Sequence, residues 1–249
     1  MKQGFTDIHT HILPLVDDGA QSVEAALELL CLQKRSGVER VVLTPHFYPQ
    51  EETVANFLVR REQAYTALMR QWEEATMPQL QLGAEVHYSP ALVEMELEQL
   101  TLGRGSYLLL ELPNNELPAC AQQVMAQIRR RGITPILAHV ERCAYFRRQP
   151  ELLLRLVQAG ALGQISARAL QDKKDRGFGV SCIKNGLGHI VASDLHGITG
   201  KGLCLSALTE GKYEEFIGWT ESFAKAVWND APLPPFAVRP IKQSVFGYR

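Results

Sequence analysis

Residues 5–20 read FTDIHTHILPLVDDGA and gather Asp7, His9, His11, Asp17 and Asp18 in a chain that holds only seven histidines. On an extended segment, side chains two residues apart point to the same side, so His9 and His11 can aim at one point. Asp194 and His196, near the end of HIVASDLH, repeat that spacing. A His-x-His pair alone is weak evidence, since seven histidines scattered at random through this length give one in roughly one chain in five. Further imidazoles and carboxylates close other apolar runs: His46 after RVVLTP, Glu85 in LQLGAE, Glu111 in YLLLELP and His139 in ITPILAH. Imidazole and carboxylate donors without thiolates suit zinc, manganese or iron. Asp18 adds another hard oxygen. Nine such side chains exceed what one ion with open positions needs. Two or three ions a few ångströms apart would use them all, and such clusters hydrolyse phosphoesters by generating hydroxide and clamping the attacking and leaving oxygens. Glu111 follows Leu108, Leu109 and Leu110, so a buried carboxylate there requires a cation or a salt bridge with an arginine such as Arg142. His87 and His189 lie away from these run ends and read as surface or helper residues.

The elements that would position these groups follow from apolar periodicity. Seven short runs, 5–9, 40–46, 80–85, 107–113, 133–139, 162–166 and 189–196, alternate with amphipathic segments, a βα pattern that implies parallel strands. The first helix is the clearest: Ser22 as N-cap, Glu24 in the first turn, Val23, Ala26, Leu27 and Leu30 at helical spacing, and Gly37 past the end. The unbroken hydrophobicity of YLLLEL and PILAH means strands covered on both faces. The strand count favours an α/β barrel of one domain, residues 1–230, in which strand C-terminal ends build the active site. Trp228 and Asn229 close the last helix, and APLPPF (231–236) opens a proline-containing C-terminal tail, 231–249.

Composition narrows the classes. The 249 residues are 46% hydrophobic, and 26 Lys and Arg nearly cancel 27 Asp and Glu. The basic runs Arg129–Arg131 and Arg147–Arg148 are too scattered for a nucleic-acid stripe, so no nucleic-acid partner is expected. Five cysteines (31, 120, 143, 182, 204) without a CxxC pair read as reduced thiols of a cytoplasmic protein. No signal-peptide core and no run of ~20 apolar residues is present, so no membrane insertion is expected. A cysteine-based phosphatase needs Arg six residues after its Cys; those positions are Gly37, Ala126, Gln149, Gly188 and Glu210.

In order, spacing and flanking residues, DIHTHILPLVDDGA, TPH, GAE, AHVER and ASDLH resemble the PHP (polymerase and histidinol phosphatase) superfamily. Within it they resemble the bacterial manganese-dependent protein tyrosine phosphatases of capsule and exopolysaccharide clusters, over about residues 5–230. The resemblance implies a distorted (β/α)7 TIM-like barrel with a trinuclear centre, of manganese or else iron, cobalt or zinc. It carries the ligand role to His9, His11, Asp18, His46, Glu85, Glu111, His139, Asp194 and His196. It makes Arg142 a phosphate-holding residue. Lys201 stands where the family has a second arginine, a point charge in place of a bidentate fork. Asp17 reads equally as an orienting partner of a ligand or as a turn former, and Asp7 as a further orienting candidate. The implied reaction is attack on phosphorus by a metal-bridging hydroxide. The implied substrate is the phosphotyrosine tail of a cytoplasmic tyrosine kinase that controls polysaccharide synthesis, with Phe47, Tyr48, Arg60, Arg61 and Arg70 as candidate flanking groups. A small phosphomonoester such as histidinol phosphate, a DNA end, or a catalytically silent metal-binding role are the alternatives.

Overall fold

The computed structural model describes residues 4–72, 77–197, 205, 213–244 and 247–248. All seven apolar runs form strands: β1 (Phe5–Thr10), β2 (Val38–Leu43) with β3 (His46–Phe47), β4 (Gln79–Leu82) with β5 (Glu85–His87), β6 (Tyr107–Glu111), β7 (Thr134–Leu137), β8 (Leu162–Ser166) and β9 (Ile190–Ala192). The second run splits at Thr44-Pro45, where proline has no N–H to give the ladder. The third splits at Gly83, whose missing Cβ leaves room for the Leu102 side chain. Hydrogen bonds still cross both gaps, Gly83 N–H to Leu43 O at 2.9 Å and Glu85 N–H to Pro45 O at 3.1 Å.

Every pairing in the two main ladders is parallel, in the orders β1-β2-β4 and β3-β5-β6-β7-β8-β9. Past β9, Asp194 N–H donates to His9 O and His11 N–H to Leu195 O, each at 2.9 Å, so the curled sheet brings the segment after β9 against the end of β1. The crossovers are α1 (Val23–Arg35), α2 (Val54–Met69), α3 (Ala121–Arg130), α4 (Ala144–Arg148) with α5 (Pro150–Gln158), and α6 (Arg176–Lys184). Between β5 and β6 only short 3-10 helices intervene, and α7 (Glu214–Trp228) follows β9. Ser22 Oγ accepts the Ala25 N–H at 3.1 Å as the expected cap of α1, and Gly37 takes φ +86° beyond its end.

Both faces of the strands are buried. One cluster joins Ile8, Val42, Leu109, Ile136 and Ile190 to Phe223, Ala224 and Val227 of α7, which covers one end of the curl. The other packs Val41, Leu43, Leu108, Leu110, Leu137 and Val191 against the surrounding helices. Two buried faces explain why these strands are continuously apolar rather than alternating. α7 ends at Trp228 as expected, and the following stretch runs along the body, with Arg239 N–H on Asn185 O at 2.9 Å and Ile241 buried. Among the described residues no helix is long and apolar enough to cross a membrane.

Candidate metal centre

Because the strands are parallel, their C-terminal ends meet at one end of the curl, and the side chains singled out at those ends meet there too. His9 and His11 leave β1 with Nε2 atoms 3.1 Å apart. Glu85 Oε2 lies 3.2 Å from each of those atoms and 3.1 Å from His46 Nδ1, while Glu85 Oε1 lies 3.0 Å from His139 Nε2. Asp194 Oδ1 approaches His9, His11 and His196 at 3.3, 3.4 and 3.5 Å. Glu111 Oε1 is 3.6 Å from His139 Nε2. Asp18, 72% exposed, reaches from its loop to within 3.7 Å of His46 Nε2 and 3.5 Å of His196 Nε2. All nine predicted donors therefore share one site. His139 and Asp194 hold positive φ, 31° and 54°, the backbone strain that clusters at functional sites.

The protons on these rings can be assigned from their outer partners. His9 Nδ1 faces Gln164 Oε1 at 3.1 Å, and the same oxygen takes the His139 backbone N–H at 2.8 Å, so it is an acceptor and His9 Nδ1 carries the hydrogen. His11 Nδ1 donates to Asp17 Oδ2 at 2.7 Å, and His196 Nδ1 to the Asp194 backbone oxygen at 3.0 Å. With Nδ1–H held by an outer acceptor, the Nε2 atoms of His9 and His11 face each other beside two carboxylates. Burial pushes both rings down, but the surrounding carboxylates outweigh it and raise them, so positive charge belongs at this point, as protons on the imidazoles or as a cation that takes the Nε2 lone pairs in their place. Burial pushes the Glu85 carboxyl up, but the four imidazoles outweigh it and hold the group well below the usual carboxylate range. Glu85 Oε2, His46 Nδ1 and His139 Nδ1 are buried with no hydrogen bond. Three donor sets have atoms close enough to share an ion: His9, His11 and Glu85; His46, Glu85 and Glu111; and His11, Asp18, His46 and His196. The donor set fits divalent cations, with the outer hydrogen bonds of a His ligand already made.

Residues 5–204 match the family described as capsular polysaccharide synthesis, CpsB/CapC. The chain belongs to this family. CapC of Staphylococcus aureus is 32% identical over 228 residues, 88% of each chain. The tyrosine-protein phosphatase YwqE of Bacillus subtilis is 31% identical over 201 residues, 77% of each chain. The tyrosine-protein phosphatase CpsB of Streptococcus pneumoniae is 30% identical over 211 residues, 78% of this chain and 84% of that one. A crystal structure from work on YwqE and CpsB, described there as unique metal-dependent tyrosine phosphatases, superposes with a TM-score of 0.84 at 25% identity. It covers 96% of this chain and 100% of that one.

In this CpsB/CapC chain the other predicted residues divide. Arg142 lies at the rim, with Nη2 donating to Asp194 Oδ2 and lying 3.4 Å from Ser166 Oγ; its carboxylate partner is Asp194, not Glu111. Glu111 instead accepts from His87 Nδ1 at 3.1 Å, which makes His87 a helper at the site. His189 is neither at the surface nor at the site: it is buried beside Trp219, Phe223 and Phe236. Asp17 serves both predicted roles, binding His11 Nδ1 and the backbone N–H groups of Gly19 and His46, both at 3.0 Å. Asp7 touches no ligand side chain; it accepts from Gln33 Nε2 at 2.6 Å and Ser193 N–H at 3.0 Å, which ties β1 to the end of β9. Of the proposed flanking groups, Phe47 is fully buried and Arg61 is spent on the carbonyls of Gly83 and Gln99, so neither can meet a substrate. Tyr48 stays at the rim, its ring 5.3 Å from His46. Lys201 and Cys204 lie outside the described residues. A cavity of about 620 Å³ opens over the site between Asp18, Arg142, Asp194 and His196 on one side and Arg168 and Asp172 on the other. Gln164 was missed by sequence reasoning, although an amide in the middle of the buried run LGQIS was a legible signal.

Proposed function

We propose that this chain is a metal-dependent protein tyrosine phosphatase, a phosphoric monoester hydrolase whose centre is held by His9, His11, Asp18, His46, Glu85, Glu111, His139, Asp194 and His196. The observation that carries the reading is the pair of Nε2 atoms of His9 and His11 facing each other at 3.1 Å against Glu85 and Asp194. Kinship with YwqE and CpsB supplies the substrate class. Three ions are the reading we adopt, since the three overlapping donor sets share His11, His46 and Glu85 pairwise; manganese rests on the family resemblance alone. When bound, such ions supply Lewis acidity and render an attacking water acidic enough to react near neutral pH. The chain's own groups do the rest. Asp17 and Gln164 keep Nε2 of His11 and His9 turned inward. Arg142, anchored at the rim beside Ser166, would neutralise charge on the equatorial phosphoryl oxygens. A phenolate leaving group with pKa near 10 needs little protonation, so no strong general acid is demanded.

The bonds from the segment after β9 back to β1 support a complete, distorted (β/α)7 barrel over residues 1–230, with 231–249 as a tail packed on it. The substrate we favour is the phosphotyrosine tail of a cytoplasmic kinase that governs capsular or exopolysaccharide synthesis. Lys201 is assigned the second phosphate-binding role by resemblance alone. The test is turnover by chelator-stripped protein resupplied with manganese, on phosphotyrosine peptide, phosphoserine peptide and histidinol phosphate. Preference for phosphotyrosine that vanishes with chelator or in His9→Ala is expected; activity confined to histidinol phosphate would overturn it.

A further inference from the structure

Leu15 is the most exposed of the large apolar side chains among the described residues, at 70%, and it holds φ +61°. Residues other than glycine, asparagine and aspartate seldom occupy that left-handed region, because Cβ crowds the following carbonyl. A branched leucine kept there and turned into water gains nothing for the fold: it neither packs in the core nor suits its backbone. Strain of this kind persists only where the surroundings impose it, and it concentrates at functional sites.

The surroundings here are explicit. Leu15 N–H donates to Ala20 O at 2.9 Å, Ala20 N–H to His11 O at 3.0 Å, and Arg60 Nη1 holds Val16 O at 2.8 Å. Gly19 packs so closely on the His11 carbonyl that a Cβ would lie 1.8 Å from its oxygen. The loop is therefore clamped at both ends, and Leu15 projects from it four residues after His11 and three before Asp18.

We infer that Leu15 is a substrate-contact residue whose apolar side chain, presented by a clamped loop, takes the apolar residue beside the phosphotyrosine of a polypeptide substrate. This inference rests on the phosphatase reading and extends it from the phosphoryl group to the flanking chain. A loop whose backbone is already held loses little further freedom when it binds, so the area buried at its tip converts well into affinity.

The test compares wild type, Leu15→Gly and Leu15→Met, each supplied with manganese, on a phosphotyrosine peptide with leucine beside the phosphotyrosine, the same peptide with serine there, and phenyl phosphate. Wild type should prefer the leucine peptide by about tenfold in kcat/KM, through KM, as expected for burying part of one apolar side chain. Leu15→Gly should abolish that preference while raising the melting temperature, because glycine relieves the left-handed strain. Leu15→Met should keep most of it. Equal losses by Leu15→Gly on all three substrates, or a leucine preference that survives the glycine, would overturn the contact. A wild type that hydrolyses neither peptide would instead overturn the phosphatase reading beneath it.

Discussion

Replacing Gln164 by leucine tests whether the outer hydrogen bonds set the ligand geometry. The change keeps side-chain bulk but removes the one oxygen that accepts both His9 Nδ1–H and the His139 backbone N–H, at 3.1 and 2.8 Å in a fully buried position. Two buried donors lose their acceptor, and each costs about 1–3 kcal/mol when unsatisfied. Against that, Gln164 Nε2 is itself buried without a partner, and its removal returns one cost of the same kind. The net expectation is a loss of about 1–3 kcal/mol, readable as a lower urea midpoint at unchanged slope. Metal binding should suffer more than the fold. Without the acceptor, His9 is free to move its proton to Nε2, the atom facing His11 and Glu85, and loss of such an outer partner typically weakens a site about 10- to 100-fold. Calorimetric titration of chelator-stripped protein with manganese reads this directly. Gln164→Glu keeps an oxygen acceptor for both donors and should recover most of the affinity. If Gln164→Leu bound manganese as tightly as wild type, the proton assignment on His9, and the cation argument built on it, would be wrong.

Two further outcomes follow from the same geometry. Glu85→Gln exchanges a carboxylate placed 3.0–3.2 Å from four imidazole nitrogens for a neutral amide; it should lower manganese content measured by mass spectrometry and abolish turnover, and a variant that kept both would remove Glu85 from the centre. His189 governs part of the acid sensitivity: burial pushes it down to about 3, while its Nδ1 accepts the Gly163 N–H at 3.0 Å. The unfolded chain takes up a proton below its ordinary value near 6.5 and the folded chain does not, so this stability is complete above pH 6.5 and is lost as pH falls towards 3. The advantage of wild type over His189→Asn in urea unfolding should therefore shrink by about 2 kcal/mol between pH 7.5 and 5.0; an advantage that did not change would mean that His189 protonates within the fold.

Much of the site was legible in the sequence, for a reason specific to parallel sheets. Each apolar run ends in a polar residue, and parallel strands bring all such ends to one side, so His9, His46, Glu85, Glu111, His139 and Asp194 could be gathered before any coordinates. The two-residue spacing of His9 with His11 fixed their common direction, and the Ser22 cap and Gly37 end of α1 were equally local in origin. What depended on contacts distant in sequence was hidden. Arg142 turns to Asp194, 52 residues away, rather than to Glu111. Gln164 reaches back 155 residues to His9. Arg61 and Phe47 look like surface groups in a polar stretch yet face inward, and His189 disappears among three aromatic rings. The sequence by itself determined which residues stand at strand ends and what ions such donors could hold, because periodicity and side-chain chemistry are local. Only the tertiary structure decided which nitrogen of each histidine faces inward and which partner each charge takes, because those depend on hydrogen bonds between strands that meet only when the sheet curls.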